Sequence, residues 1–531
     1  MGAAKEDKKL VVMHAPAAWG DSKPFIALAV YIVEARPDVT CIILTVGTII
    51  HGKFMRELDK LPPSRRQAVE PQIHIVDIVG RQVEPKEMLG IQVEFFRAFN
   101  DLYHSRKVSC LAEPGKIVEN LPRIAVAIVD PFCGYAVDSI RKISGPSPPG
   151  IPILSWNTAS AGAFLHLFGP EKYGGMGEVV DILKKHGWAG QDNFGLEEWP
   201  EALAEIDQMF STTTGKVVQI PGCPPMYDYE WHPQATVLDS TPLFTFAHIH
   251  TRSTEGGLVV SSSAYEEEAI KGWKAWFKSM KKPLYAIGPL SLPEANWKNS
   301  PPTEKESMVI DFLDRMQQRF GEKSLIYVSF GTVFFPADPS KVWVLLDELI
   351  ANQVPFIFAH TSEVANVPDD KKKLIAESGI GLEMKWAPQE VILKHPATGW
   401  FISHGGWNSV QEAFVNRTPM IYWPISADQP YNAALMTLRH KAGFELLEVR
   451  TSSSGLPGQP FRCKDGPKLD FTVESARKEI RALLDRLRGE EGRAVRKNCE
   501  QLSEKMGRTW DEDGESRKNL REFLSRFIDD A

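Results

Sequence analysis

Short apolar runs rich in β-branched residues alternate with stretches of helical spacing through the first half of the chain. The runs are Leu10–Met13, Val39–Leu44, Ile73–Ile78, Ile124–Val129 and Ile151–Leu154, and helical spacing fills Phe25–Ala35 and Tyr135–Ile143. A second series starts at Ser324–Phe330 and continues through Pro355–Ala359, Phe401–Ser403 and Pro419–Trp423. Strands alternating with helices predict a parallel sheet wrapped by helices, here twice in succession. The join is placed in Gly288–Gly321, where GPLSLPEANWKNSPPTEKES has linker composition. The expected division is a first domain over 1–287, a linker over 288–323, a second domain over 324–506 and a final helical segment over 507–531. TSSSGLPGQPFRCKDGPK, after Arg450, reads as a further loop, an insertion or a flap.

Length and composition narrow the class. A chain of 531 residues exceeds one ordinary core, and 43% apolar with 24% charged residues is a soluble globular balance. A net charge of −7 argues against a nucleic-acid partner. The six cysteines show no CxxC pairing, which reads as free thiols in a reducing compartment with no zinc site. The charged start MGAAKEDKKL shows no secretory signal, and no apolar run approaches a membrane span, so a cytoplasmic protein is expected.

The stretch Trp386–Gln429, WAPQEVILKHPATGWFISHGGWNSVQEAFVNRTPMIYWPISADQ, concentrates polar chemistry. Trp386 follows the strand-like GLEMK, so its indole stands at a strand end, to stack on a planar base or to pack at a turn. After His404 two glycines permit close backbone approach, and a helix is predicted to start near Ser409. A helix N-terminus offers unpaired N–H groups and partial positive charge, which suit a diphosphate. Ser409 and Glu412 also fit a capping box, which any helix could use. Asp428 and Gln429 precede Pro430, either as groups for vicinal hydroxyls or as an Asx-type turn.

The whole stretch resembles the donor-binding signature of the family 1 UDP-glycosyltransferases, in its plant-like secondary-product form. The resemblance implies an α/β protein of the GT-B fold: two Rossmann-like domains with parallel sheets facing a cleft, Glu515–Ile528 crossing back to the first. It implies that Trp386 stacks on uracil and that Gln389 partners the nucleoside. His404, Asn408, Ser409 and the backbone of Trp407 match phosphate-contacting positions. Glu412 matches the ribose-holding acid, and Asp428 and Gln429 match the sugar-gripping pair, with Gln last favouring glucose. Gly331 and Thr332 of YVSFGTV resemble the family's turn near the diphosphate. VQIPGCPPM, GLVVSSSAYEEEA and PLYAIGPL carry the resemblance further. The stretches 80–120 and 165–210 match little; their Phe95, Phe96, Phe99, Tyr103, Trp188, Phe194 and Trp199 read as an acceptor pocket or as plain core.

In this family a His after the first strand, in a GHxxP context, deprotonates the acceptor, and an Asp further along orients it. HAPAAWGDSKPFIALAV keeps Gly20 and Pro24 but has Asp21 where the His is expected, while AIVDPF supplies Asp130. Three readings stand open. Asp21 accepts the proton, with the nearby Asp130 carboxylate raising one of the two pKa values; or the acceptor is a phenol or carboxylic acid that needs little help; or the chain binds donor without turnover. Among the other histidines, His14 inside the first strand reads as structural, His248 and His250 share one face of a strand in FAHIH but lack a third metal ligand, and His166, in the acceptor-pocket helix AGAFLHLFG, stays a candidate for the base.

The expectation is therefore an enzyme that moves a hexose, glucose by preference, from a UDP-sugar to a small lipophilic acceptor in one inverting displacement, with no metal or other cofactor. A catalytically silent UDP-sugar-binding protein is the alternative from another class, and a nucleotide-sugar epimerase is a third.

Overall fold

The computed structural model describes residues 8–83, 87, 91–190, 198–235, 241–290, 303–451 and 458–529. The chain divides into two compact units, one of Met1–Thr212, Asp239–Asn299 and Thr509–Ala531, the other of Thr213–Leu238 and Ser300–Arg508.

The first unit is built on a seven-stranded sheet, all its pairings parallel. Its spatial order is Leu284–Ala286, Gly256–Val259, Ile153–Asn157, Arg123–Val129, Lys9–His14, Val39–Thr45 and Ile73–Asp77. Every residue of Lys9–His14 is buried, because helices cover both faces, and both faces therefore need apolar side chains. One face packs on Pro24–Ala35 and on the final helix, where Phe523, Leu524, Phe527 and Ile528 join Ile26, Val30 and Val126 in one core. The final helix, Glu515–Leu524, is fixed at its start by Glu515, which accepts hydrogen bonds from the N–H and hydroxyl of Ser263, each at 2.7 Å.

The second unit has a six-stranded, all-parallel sheet in the order Gly381–Met384, Phe356–Ala359, Leu325–Ser329, Thr398–Ser403, Met420–Tyr422 and Gly443–Glu445. Two parallel sheets in two α/β units are the expected fold class.

The division departs from the expected one. Thr213–Leu238 groups with the second unit. There Glu230 pairs with Arg450 at 3.4 Å and accepts the Phe461 N–H at 2.8 Å, while Gln234 donates to Val449 O at 3.0 Å. Within the expected linker, Glu304–Phe320 is a helix, started by a capping box between Thr303 and Glu306 that linker composition concealed. Residues 291–302 of that linker, 452–457 of the loop after Arg450, and the first seven residues lie outside the described residues.

Two local expectations also change. The run Ile151–Leu154 is displaced to a strand Ile153–Asn157, since Pro152 has no N–H to offer a ladder. FAHIH is not a strand: Thr241–Ser253 is a helix, with Pro242 in its first turn, a position that suits proline. No helix among the described residues is long and apolar enough to cross a membrane.

Candidate functional site

In each sheet the chain builds outward in one direction, returns, and builds outward in the other. The reversal lies between Lys9–His14 and Arg123–Val129 in the first unit, and between Leu325–Ser329 and Thr398–Ser403 in the second. Ligands of open parallel sheets bind at the carboxyl ends of the strands flanking such a point. Asp21 and Asp130 follow the first pair of strands; Gly331 and His404 follow the second.

In the second unit the helix after His404 is Trp407–Val415, with Gly406 before it. It starts two residues earlier than expected, which puts Ser409 in the third helical position and removes it as a cap for Glu412. The capping-box reading thereby fails. Gln389 instead donates to Glu412 Oε2 at 2.5 Å and lies 3.5 Å from Ser409 Oγ, so these three side chains form one group. Trp386 stands just before this group and is 46% exposed, which excludes a core tryptophan.

His404 is buried, with Nδ1 3.3 Å from Ser403 Oγ, and burial pushes its pKa down to about 4. At neutral pH the unliganded imidazole is uncharged, a hydrogen-bonding group. The glycines around it serve the ring itself. Gly331 has φ +79°, and a Cβ there would lie 2.7 Å from His404 Cε1; a Cβ on Gly406 would lie 2.7 Å from Nε2. Thr332 beside it is exposed.

Asp428 and Gln429 are held by the protein. Asp428 Oδ2 accepts the Trp407 N–H and Asn432 Nδ2, each at 2.9 Å, so that helix N–H is already engaged. Asn432, which sequence reading missed, also donates to Gly405 O at 2.9 Å and so locks Asp428 onto the glycine turn. Gln429 is buried, and its Oε1 accepts the N–H groups of Ile425 and Ser426 at 2.8 and 3.0 Å. Its carboxamide oxygen braces the loop rather than facing outward.

In the first unit Asp21 lies in the short helix Trp19–Ser22, and Asp130 is buried at the end of Arg123–Val129. Asp130 Oδ1 accepts the Phe132 N–H at 2.9 Å. Thr158 donates to Asp21 Oδ1 at 2.7 Å, and the Trp156 indole donates to Asp21 O at 2.9 Å. Burial raises the pKa of Asp21 against the opposing bond from Thr158. Burial raises Asp130 further still, reinforced by the negative charge of Asp21. Two acids in one low-dielectric place resist double ionisation.

The histidines are otherwise employed. His14 is fully buried, bonded through Nδ1 to Leu44 O and through Nε2 to the Tyr135 hydroxyl, both at 2.9 Å, and burial holds its pKa near 4. His166 lies in the helix Ala161–Phe168 and bonds Gly174 O. His248 bonds Leu167 O and His250 bonds Pro131 O; on a helix they diverge and form no shared face. His51, Cys110 and Glu113 converge within 4.8 Å, a cluster that cysteine spacing could not reveal. Its carboxylate is already taken by His51 and Lys116, both at 2.7 Å, so it reads as an ion-pair network. Of the aromatic residues read as pocket or core, Phe95 and Phe99 are fully buried in the core, and Trp188 packs with Leu183 and Ile206. Phe194 lies outside the described residues.

Solved structures share this fold. A glycosyltransferase from Siraitia grosvenorii in complex with UDP matches with a TM-score of 0.66 at 19% identity, over 98% of this chain and 100% of that one. A Phytolacca americana enzyme complexed with UDP-2fluoro-glucose and pterostilbene matches with a TM-score of 0.63 at 20% identity, over 98% and 100%. The fold is thus GT-B, and the model of UDP-glucoronosyl and UDP-glucosyl transferases matches residues 302–457. UDP-glycosyltransferase eriJ of Hericium erinaceus is 31% identical over 97% of this chain and 98% of its own length. Hydroquinone glucosyltransferase of Rauvolfia serpentina is 27% identical over 61% of this chain and 67% of its own. The chain belongs to the UDP-glycosyltransferase family, and it is an enzyme that uses a UDP-sugar.

Proposed function

We propose that the protein transfers glucose from UDP-glucose to a hydroxyl or carboxyl of a small lipophilic acceptor, with inversion and without a metal, in the cytoplasm as an enzyme of secondary metabolism. The observation that carries this reading is the convergence of Trp386, Gln389, Ser409, Glu412, His404 and Gly331 at the switch point of the second sheet. In this reading Trp386 stacks on uracil, and Gln389 and Glu412 hold the nucleoside. The start of Trp407–Val415 and neutral His404 receive the diphosphate, with Asn408, Ser409 and Thr332 beside them. Asp428 and Gln429 shape the sugar site. The names of several relatives specify glucosyl transfer, which supports glucose.

The first unit supplies the base. Asp21 takes the acceptor's O–H proton as the acceptor oxygen attacks the anomeric carbon. The bond from that carbon to UDP breaks, UDP leaves with the electron pair, and a β-linked product forms from an α-linked donor. Asp130 is the second acid of the pair, its own pKa raised by burial and by the negative charge of Asp21. A carboxylate with a raised pKa is a better match to an alcohol than an ordinary one.

The test is UDP release from UDP-glucose across a panel of phenols, sterols and carboxylic acids. Acceptor-dependent release with β-linked product supports the reading. Donor binding without release from any acceptor would make the chain the silent binding protein instead. A further expected result concerns Trp386. Trp386→Ala weakens UDP binding by roughly ten- to a hundredfold, the worth of one base stacked on an aromatic ring, measured by isothermal titration calorimetry. Unchanged affinity would remove Trp386 from the nucleotide site.

A further inference from the structure

Thr158 follows the strand Ile153–Asn157, on the side of Arg123–Val129 away from Lys9–His14. Neither sequence pattern nor family resemblance singled it out. Its hydroxyl donates to Asp21 Oδ1 at 2.7 Å, across a sequence separation of 137 residues. It is itself 8% exposed. Two residues earlier, Trp156 is fully buried, donates its indole N–H to Asp21 O at 2.9 Å, and stacks on Phe25 with ring centroids 4.4 Å apart. One strand end therefore grips both the backbone and the carboxylate of Asp21.

The position matters because a carboxylate has two oxygens of unequal use. With Oδ1 bound by Thr158, Oδ2 is the oxygen left to face an acceptor. The hydroxyl also stabilises the anion, opposing the burial that favours the acid. The titratable groups facing Asp21 are Asp130 and Cys133 at the end of Arg123–Val129; Cys133 is held as a thiol by burial and by the Asp130 charge. His14 and Tyr135 lie behind Asp130 and bond each other. None of these groups is a cation at neutral pH, so the Thr158 hydroxyl is the side-chain donor on Asp21 among the described contacts.

We propose that Thr158 is a positioning residue for the reaction: it orients the Asp21 carboxylate and keeps it ionised where the acceptor is deprotonated. This rests on the reading of Asp21 as the base. An oriented hydroxyl in this place substitutes for the second-residue orientation that a His-Asp pair obtains from its carboxylate.

The experiment compares Thr158→Val and Thr158→Ser with the parent, alone and in an Asp21→Asn background. Activity is read as UDP release from UDP-glucose with hydroquinone as probe acceptor, as kcat/KM against pH. Thr158→Val removes a bond to the ionised form, so the acid limb moves to higher pH by roughly one unit, the worth of one hydrogen bond to a charged group. Thr158→Ser restores the parent profile. The melting temperature supplies a readout that needs no turnover. Asp21 has a folded pKa above its unfolded value, so ionisation weakens the fold as pH rises through that window, and losing Thr158 deepens the effect. The gap in Tm between parent and Thr158→Val therefore widens from pH 4 to pH 8, and in the Asp21→Asn background it loses this pH dependence. Lost activity with an unmoved acid limb, or a Tm gap whose pH dependence survives in Asp21→Asn, would reduce Thr158 to packing and overturn the proposal. Full turnover by Asp21→Asn alone, with the Tm pattern as expected, overturns the base assignment first and leaves the contact structural.

Discussion

Asp21→Asn is expected to lower turnover of UDP-glucose with an alcohol acceptor by about a hundred- to ten-thousandfold, the usual contribution of a positioned general base. The amide keeps the shape of the carboxylate and can still accept from Thr158, so the fold is preserved while the proton acceptor is lost. UDP affinity should stay at the parent value, because Trp386, Gln389 and Glu412 belong to the other compact unit. Acidic phenols should lose far less than alcohols, since an acceptor already ionised needs no base. Steady-state kinetics over a series of acceptors of graded pKa would check this. An equal loss for all acceptors would mean that Asp21 shapes the site rather than accepting a proton. In the same series Asp21→His restores the side chain common in the family. If only that variant turned over, the parent would be a binding protein.

Arg450→Met should be the most damaging single change to the second unit, costing about 3–5 kcal/mol, as expected when one member of a buried ion cluster is removed. Arg450 joins Glu445 at 2.8 Å and Glu230 at 3.4 Å, and all three side chains are at most 3% exposed. Arg462 also reaches Glu445, leaving Glu230 as the partner most completely abandoned. Burial alone would raise the Glu445 pKa, but Arg462 and Arg450 override it and hold the group below its ordinary value. A depressed acid contributes stability above its unfolded pKa and loses it as pH falls through the folded pKa. The penalty of Arg450→Met should thus be greatest near pH 7 and shrink on acidification. Urea unfolding at several pH values would show it. A variant as stable as the parent at pH 7 would show that Thr213–Leu238 is held by its apolar contacts instead.

Much of the second unit was legible because its strands are runs of apolar residues long enough to register. The turn chemistry after Ser403 was legible because Gly-Gly followed by Trp-Asn-Ser has few meanings. What was not legible depended on partners distant in sequence. Thr158 meets Asp21, Asn432 braces Asp428, and Glu230 meets Arg450, and no local spacing encodes such meetings. The three-residue strand Gly443–Glu445 is too short for periodicity to detect. His248 and His250 misled for the opposite reason: alternation over five residues mimics a strand, and Pro242 was the better signal. Of the two glycines after His404 read as room for phosphate, Gly406 also leaves room for the imidazole, and Gly405, at φ +85°, leaves room for Tyr422.

Neither compact unit is a continuous stretch of chain. All seven strands of the first sheet leave the ribosome long before Phe523, Phe527 and Ile528, the residues that complete one face of its core. Domains that fold during synthesis normally close in order of emergence. Here the earliest-made sheet must wait, part of its apolar surface uncovered, until Phe523, Phe527 and Ile528 have been made. Termination between Arg508 and Phe523 would release a chain whose second unit is whole and whose first is open, a ready substrate for chaperones and for aggregation.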